Sequence, residues 1–490
     1  MHRIRHNTAS FLSALLLAIS LSMQQASAQD NHFDRYGFMR IDGVPRLILG
    51  FYELPEQDAK LKELAESGFN LVRVPQEPAA LDRVHQHGLR AWICLGSAVQ
   101  VGDGDIEGSR RLAGLVDKFK EHPALAVWEL PDEALWNIWW GRFPWIFGGQ
   151  QTELRKQIEA ARANTPDATI ARWYSVLNRA SDYDERGLWK QAEELYDTLW
   201  TQLKTENPHP AWKMSQCPAE SAALIEAAAR GCDLVRRLDP RHPLWQNHAP
   251  RNSLGSLQKY NRMIDTAGCD IYPAPPNYAV GHSDLTDTQL TAVGAYTDRM
   301  RDAAPGKSVW MVLQGFGWRD LSEDGKKDSD PAKGRRPRLA ETRFMAYDAI
   351  VHGAHAILYW GTAYIEKDSP LWRDLMTVAR ELRALEPAIV GDRAAVEPAS
   401  LADETHGSVD GEGPRLMLRK ADADWVLIAV NEYAQGISFS VSNLPKEIEG
   451  KTLYRLYSDE TQVVNDGGFH DGIRGLGVHV YATNRRFEAK

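Results

Sequence analysis

The chain repeats one pattern: an amphipathic stretch, a Gly or Pro stop, then a short apolar run. It occurs as Glu66-Ser67-Gly68 before Phe69–Val74, and as Gln86-His87-Gly88 before Leu89–Leu95. It returns as Glu121-His122-Pro123 before Ala124–Leu130, and as Asp239–Pro243 before Leu244-Trp245. Pro305-Gly306 precedes Ser308–Leu313, and His352-Gly353 precedes Ala356–Trp360. Gly ends a helix without Cβ strain, and Pro blocks its continuation. With Arg46–Gly50 at the start and Cys269–Tyr272 in the middle, the pattern predicts about eight strands, the number in a (β/α)8 barrel. The runs are rich in Val, Ile, Leu and Trp without clean alternation, as expected of parallel strands covered on both faces. A doubly wound sheet fits less well. No G-x-G-x-x-G follows the first strand, and polar or aromatic residues close nearly every strand rather than one switch point.

Two segments break the rhythm. After the fourth strand a helical insertion is expected at about 131–218, with Leu188, Ala192, Leu195, Leu199 and Leu203 on one face. At that end of a barrel it is either a lid over the site or a solvent-side decoration. Beyond Arg393 the texture becomes antiparallel. Arg415–Arg419 and Trp425–Val430 read as a hairpin, with further strands at Ile437–Val441, Thr452–Tyr457 and Val478–Ala482. The expected plan is a signal peptide over 1–28, a (β/α)8 TIM barrel over 29–393 and a C-terminal antiparallel β-sandwich over 394–490.

Composition narrows the function. A net charge of −9 argues against nucleic acid, which needs a basic surface. Arg3 and Arg5, the apolar run Phe11–Leu21 and the small residues Ala26-Ser27-Ala28 predict a secretory signal cleaved before Gln29. That run is too short to span a bilayer, so a secreted or periplasmic protein without a membrane anchor is expected. Of the four cysteines, Cys94 and Cys269 lie in strand-like runs, whereas Cys217 and Cys232 are open to pairing. No Cys or His spacing implies a metal or a cofactor.

The richest motif is His122-Pro123-Ala124-Leu125-Ala126-Val127-Trp128-Glu129-Leu130-Pro131-Asp132-Glu133. It resembles the signature of the large clan of (β/α)8-barrel retaining glycoside hydrolases, in which the fourth strand ends in an Asn-Glu pair carrying the acid/base. The resemblance runs over roughly Val44 to Gly391. It implies a hydrolase acting on oligo- or polysaccharide, with Glu133 as general acid/base and Asp132 where the clan has asparagine. A carboxyl in a partly dry pocket beside a second carboxylate has its pKa raised toward the working pH, as proton delivery to a leaving oxygen requires. Otherwise, Glu133 is a helix-start carboxylate facing the macrodipole.

The strand Val309-Trp310-Met311-Val312-Leu313-Gln314-Gly315-Phe316 looks like the clan's seventh, which carries the nucleophile, yet Gln314 stands where glutamate is expected. An amide cannot form a glycosyl ester, which leaves three readings. Asp270, or else Glu53 or Glu129, supplies the second carboxylate, about 5–5.5 Å from Glu133 in a retaining enzyme and about 6.5–9.5 Å away in an inverting one. Alternatively, a 2-acetamido group of the substrate attacks, because adjacent Asp132-Glu133 resembles the catalytic pair of the β-hexosaminidases. In the third reading the barrel binds sugar silently. Gln314 is assigned to orientation by hydrogen bonding.

Tyr52, Glu53, Trp136, His248, Tyr272, Trp318 and Trp360 are expected to contact sugar, or else to hold the loops in place. Trp360 matches the aromatic that clan members keep beneath the innermost sugar. The run Trp136–Trp140 with Phe143, Trp145 and Phe147 suits stacking on sugar faces, or packing within the insertion. Asp320 to Arg338 is a charged loop, read as solvated rather than as a clamp for anionic sugars.

Overall fold

The computed structural model describes residues 32–278, 288–327, 329–330, 332–403 and 411–489. The expected signal segment lies outside these.

Eight parallel strands close into a barrel. They are β1 (Ile48–Phe51), β2 (Leu71–Val74), β3 (Arg90–Cys94), β4 (Leu125–Glu129), β5 (Leu244–His248), β6 (Thr266–Ile271), β7 (Ser308–Gln314) and β8 (Ala356–Trp360). β8 pairs with β1, Ala356 opposite Ile48, which closes the ring. The helices that follow these strands are α1 (Asp58–Glu66), α2 (Pro78–Gln86), α3 (Ile106–Phe119), and, after the excursion described below, α8 (Cys217–Leu238). Then come α9 (Leu254–Asn261), α10 (Ala292–Ala303), α11 (Leu339–Val351) and α12 (Pro370–Ile389). The interior is filled by Ile48, Leu71, Trp92, Val127, Trp245, Trp310 and Leu358, with Met39 of the N-terminal segment among them. Trp245 and Trp310 lie 5.2 Å apart between ring centres. Gly268 on the intervening strand lets them approach, because a Cβ there would meet the Trp310 carbonyl at 1.5 Å and the Trp245 ring at 3.1 Å.

The C-terminal region is a sandwich of a six-stranded and a three-stranded sheet. In chain order its strands are β9 (Asp392–Arg393), β10 (Ala399–Ala402), β11 (Arg415–Ala421), β12 (Asp424–Val430) and β13 (Ile437–Ser442). They continue as β14 (Thr452–Arg455), β15 (Thr461–Val463), β16 (Phe469–Ile473) and β17 (Val478–Ala482). The larger sheet runs β9-β11-β12-β17-β14-β15 and the smaller β10-β13-β16. Ile437, Phe439 and Val441 alternate into the core while Ser440 and Ser442 face out, the period-two pattern of a half-buried strand. Barrel and sandwich form one compact unit.

Gln100–Asp103 and Glu133–Arg230 form a second compact unit. Its helices are α4 (Ala134–Trp140), α5 (Gln150–Ala161), α6 (Asp167–Glu185), α7 (Trp189–Leu203) and the part of α8 up to Arg230. It has a core of its own: Leu154, Ile158, Ile170, Trp173, Leu177, Tyr196, Leu199 and Trp200. Of the helix face expected from sequence, Ala192 and Leu199 are buried in this core and Leu195 and Leu203 pack beside it. Leu188 instead precedes the helix.

All four cysteines are free. Cys217 and Cys232 cannot pair because both lie on α8, where their separation in sequence is about 22 Å of helical rise, far beyond disulfide reach.

Candidate active site

The site is built at the C-terminal ends of the barrel strands, where side chains from separate strands converge. Arg73 of β2 donates from Nε to Glu129 of β4 at 2.8 Å. β3 lies between those strands, so this ion pair crosses the interior. Glu129 is fully buried and its Oε1 has no hydrogen-bond partner among the described residues. Burial lifts its pKa to about 7, against the opposing charge of Arg73. Tyr52, just beyond β1, stands edge-on to Trp92 at 5.2 Å, with Arg73 5.7 Å from its ring centre. Its buried hydroxyl has no partner among the described residues. Burial, with Glu129 and Asp132 nearby, holds that hydroxyl well above its ordinary pKa.

Asn247, the inward residue near the end of β5, joins two of the expected carboxylates. Its Nδ2 donates to Asp132 Oδ1 at 2.8 Å and lies 3.5 Å from Asp270 Oδ1. Burial raises the Asp132 pKa, with the Asn247 bond and Arg73 opposing it. Cys94 at the end of β3 completes the rank, its thiol raised to about 12 by burial and by Glu129. That thiol is held protonated.

One wall is aromatic. Tyr272 and Trp360 stack at 5.5 Å and 23°, and Phe316 meets both edge-on at 5.2 Å. Trp318 lies 6.3 Å from Tyr272. Glu53 is bound by Lys367 at 2.9 Å, while its Oε2 is buried without a partner among the described residues.

Gln314 is fully buried at the end of β7. Its Oε1 accepts from the Ala274 N–H at 2.9 Å, and its Nε2 donates to the carbonyls of Ala274 and Phe316 at 2.8 and 3.0 Å. The amide thus clamps the loop that follows β6. A carboxylate could not make the two donations, which explains the residue type at this position.

His248 is placed differently from the expected sugar contact. On β5, Trp245 and Asn247 face inward and His248 faces outward. Its Nε2 meets Asn261 Oδ1 of α9 at 2.7 Å, its ring lies edge-on to Tyr260, and burial lowers its pKa to about 4. The charged loop after β7 is largely exposed between Ser322 and Lys333 among its described residues, as a solvated run should be, but its last arginines are paired. Arg336 forks onto Asp320 at 2.8 and 3.0 Å and reaches Glu366. Arg335 forks onto Glu341 at 2.7 and 2.6 Å.

Glu133 opens the helical unit, half-buried, in a left-handed conformation (φ 48°, ψ 33°) before α4. A non-glycine residue there carries backbone strain of the kind that clusters at functional positions. Trp136 belongs to the same unit and packs with Phe143 at 5.2 Å and Trp140 at 6.2 Å.

No protein-family model matches the sequence, and no curated protein is similar to it. Among solved structures, the β-galactosidase of Bacillus circulans sp. alkalophilus is similar over 90% of this chain and 99% of its own, at 9% identity and a TM-score of 0.51. The GH42 β-galactosidase Gan42B is similar over 92% and 99%, at 11% identity and a TM-score of 0.52. The chain resembles (β/α)8-barrel glycoside hydrolases in fold. At these identities the likeness is one of architecture, and it directs attention to the C-terminal ends of the strands, where such barrels build their sites.

Sequence reasoning missed Arg73 and gave Asn247 no role of its own. A cation inside the apolar run Leu71-Val72-Arg73-Val74 was the available signal for the first. For the second the signal was its place in the run Asn247–Asn252 at the rim, but β5 is buried on both faces and polarity there does not tell inward from outward.

Proposed function

We propose that the protein is an exported glycoside hydrolase acting on oligo- or polysaccharide, with Glu133 as proton donor and Asp270 as the second carboxylate. The observation that carries this reading is the pair Asp132 and Asp270, both directed at the single amide of Asn247 beside the stacked Tyr272 and Trp360. Most glycoside hydrolases use two carboxyl groups that flank the scissile bond. Glu133 is one peptide from Asp132, so its Cα lies within about 3.8 Å of that residue's. Gln314, committed to backbone groups, orients the β6 loop that carries Tyr272 rather than attacking. In the reaction Glu133 gives its proton to the departing oxygen. Asp270 either attacks the anomeric carbon or takes a proton from the attacking water.

Release of reducing ends from a panel of aryl glycosides and oligosaccharides tests this. Turnover in the wild type that falls away in Asp270→Asn supports it. Sugar binding without turnover at any substrate would instead make the barrel a lectin-like binder.

A second reading rests on the tandem Asp132-Glu133. Asp132 is held in the mouth by Asn247, where it could orient a substrate acetamide for internal attack. Asp132→Asn separates the two. Collapse confined to N-acetylated substrates favours substrate assistance, and equal loss on all sugars favours the carboxylate pair.

A further inference from the structure

At the opposite end of the barrel, against the sandwich, Asp348, His352 and Glu432 converge. Asp348 and His352 lie four residues apart at the C-terminal end of α11, on one helix face. Glu432 comes from the sandwich, two residues after β12. Asn431 fixes its backbone by donating to the carbonyls of Gln435 and Arg474, both at 2.9 Å. His352 Nε2 lies 3.2 Å from Glu432 Oε1 and 3.8 Å from Asp348 Oδ1. All three donor atoms fall within 4.8 Å of one another.

The other ring nitrogen, His352 Nδ1, meets Asp298 Oδ2 at 2.8 Å. Such a carboxylate holds the Nδ1 proton, so that loss of the Nε2 proton, directed in this structure at Glu432 at 3.2 Å, would present a lone pair to the cluster. Asp298 in turn takes the nearby cations, Arg301 at 3.2 Å and Arg415 at 3.4 Å. Asp348 is fully buried. Its Oδ2 accepts from the Gly294 N–H at 2.7 Å, but its Oδ1, aimed into the cluster, has no hydrogen-bond partner among the described residues. An imidazolium at His352 would not meet that need, since its N–H groups are directed at Asp298 and Glu432.

We propose that Asp348, His352 and Glu432 bind a divalent transition-metal ion, zinc being the probe of choice, and that this ion ties α11 to the sandwich. Ligands about 2.0–2.2 Å from zinc stand about 3.3–3.6 Å apart in a tetrahedron, close to the separations found here. One imidazole with two carboxylates suits such an ion, and water completes the shell. Glu432 is about one-third exposed, and it lines, with His352, a groove of about 1800 Å³ through which an ion would pass. Gly294 belongs to the same design, because a Cβ there would press on His352 Nε2 at 2.5 Å and on Asp348 Oδ2 at 2.8 Å. Sequence spacing did not mark the site, because Glu432 lies 80 residues beyond His352.

The test is zinc uptake by the full chain after chelator treatment and gel filtration, read by elemental analysis, with cobalt as a spectroscopic stand-in. One equivalent of zinc per chain is expected, together with a zinc-dependent rise in Tm. Glu432→Gln and Asp298→Asn should fold, and each should weaken uptake, the latter by about 10–100-fold as a lost outer-sphere carboxylate does. Well under one equivalent in the wild type overturns the proposal. So does uptake that neither substitution changes, since the zinc would then be held elsewhere.

Discussion

The two ends of the barrel treat buried charge in opposite ways. At the N-terminal end carboxylates are answered. Glu386 accepts from Arg46 at 3.1 Å and from the Leu47 N–H at 2.9 Å. Asp239 meets His242 at 2.7 Å and Trp128 Nε1 at 2.9 Å. Burial would raise Asp239, but the bonds from His242 and Trp128 bring its pKa below the ordinary value. At the C-terminal end Glu129 and Asp132 are driven the other way, and Glu129, Tyr52 and Glu53 each leave a polar atom unmet. Satisfied charge stabilises a fold; unmet hydrogen-bonding capacity costs stability and is available to a ligand. Asp348 is the exception at the stabilising end, and that makes it conspicuous.

Substitutions can break this contrast or sharpen it. The largest effect is expected of Glu133→Gln, which should lower kcat/KM by about 10²–10⁴-fold, the usual contribution of a general acid, with ligand binding retained. Steady-state kinetics beside calorimetric titration checks it, and undiminished turnover would leave the mouth without its donor.

Next comes pH. Glu129 has a folded pKa of about 7 against an ordinary value of 4.5, so between those values the folded chain holds a proton that the unfolded chain has lost. Its contribution is fully present below 4.5 and lost as pH rises to about 7. The slope is at most about 1.4 kcal/mol per pH unit. Glu129→Gln should flatten denaturant-derived stability across that window, and an unchanged slope would mean that the Arg73 pair keeps the carboxylate ionised.

Gln314→Glu is expected to cost about 1–3 kcal/mol, because at least one carbonyl loses its donor, and not to raise turnover. A gain in activity would show that β7 can still supply a nucleophile. The smallest effect is expected of Trp360→Ala. Loss of one stacking face, worth about 0.5–1.5 kcal/mol beyond its area, should raise KM several-fold with kcat little changed.

Much of the architecture was legible. Ala356–Trp360 and Val478–Ala482 were bounded as found, and the other strands read from the sequence lie within a few residues of their observed bounds, because Gly and Pro stops act locally on the backbone; β9, β10, β15 and β16 were not among them. Leu244-Trp245 was read too short. The strand continues through Gln246, Asn247 and His248, polar residues whose burial depends on partners distant in sequence. The same limit hid the Arg73–Glu129 pair and the clamp at Gln314, since hydrogen bonds to Ala274 leave no trace in periodicity. Asp132 and Asp270 were named from strand ends, but only the folded chain joins them through Asn247.

The helical unit has a hydrophobic core independent of the barrel. Cooperativity within it therefore need not extend to the strands. A block with its own core opens locally at a free energy set by its own packing. Glu133 stands at the first residue of that block's longer segment, so its backbone shares the local stability of the helices.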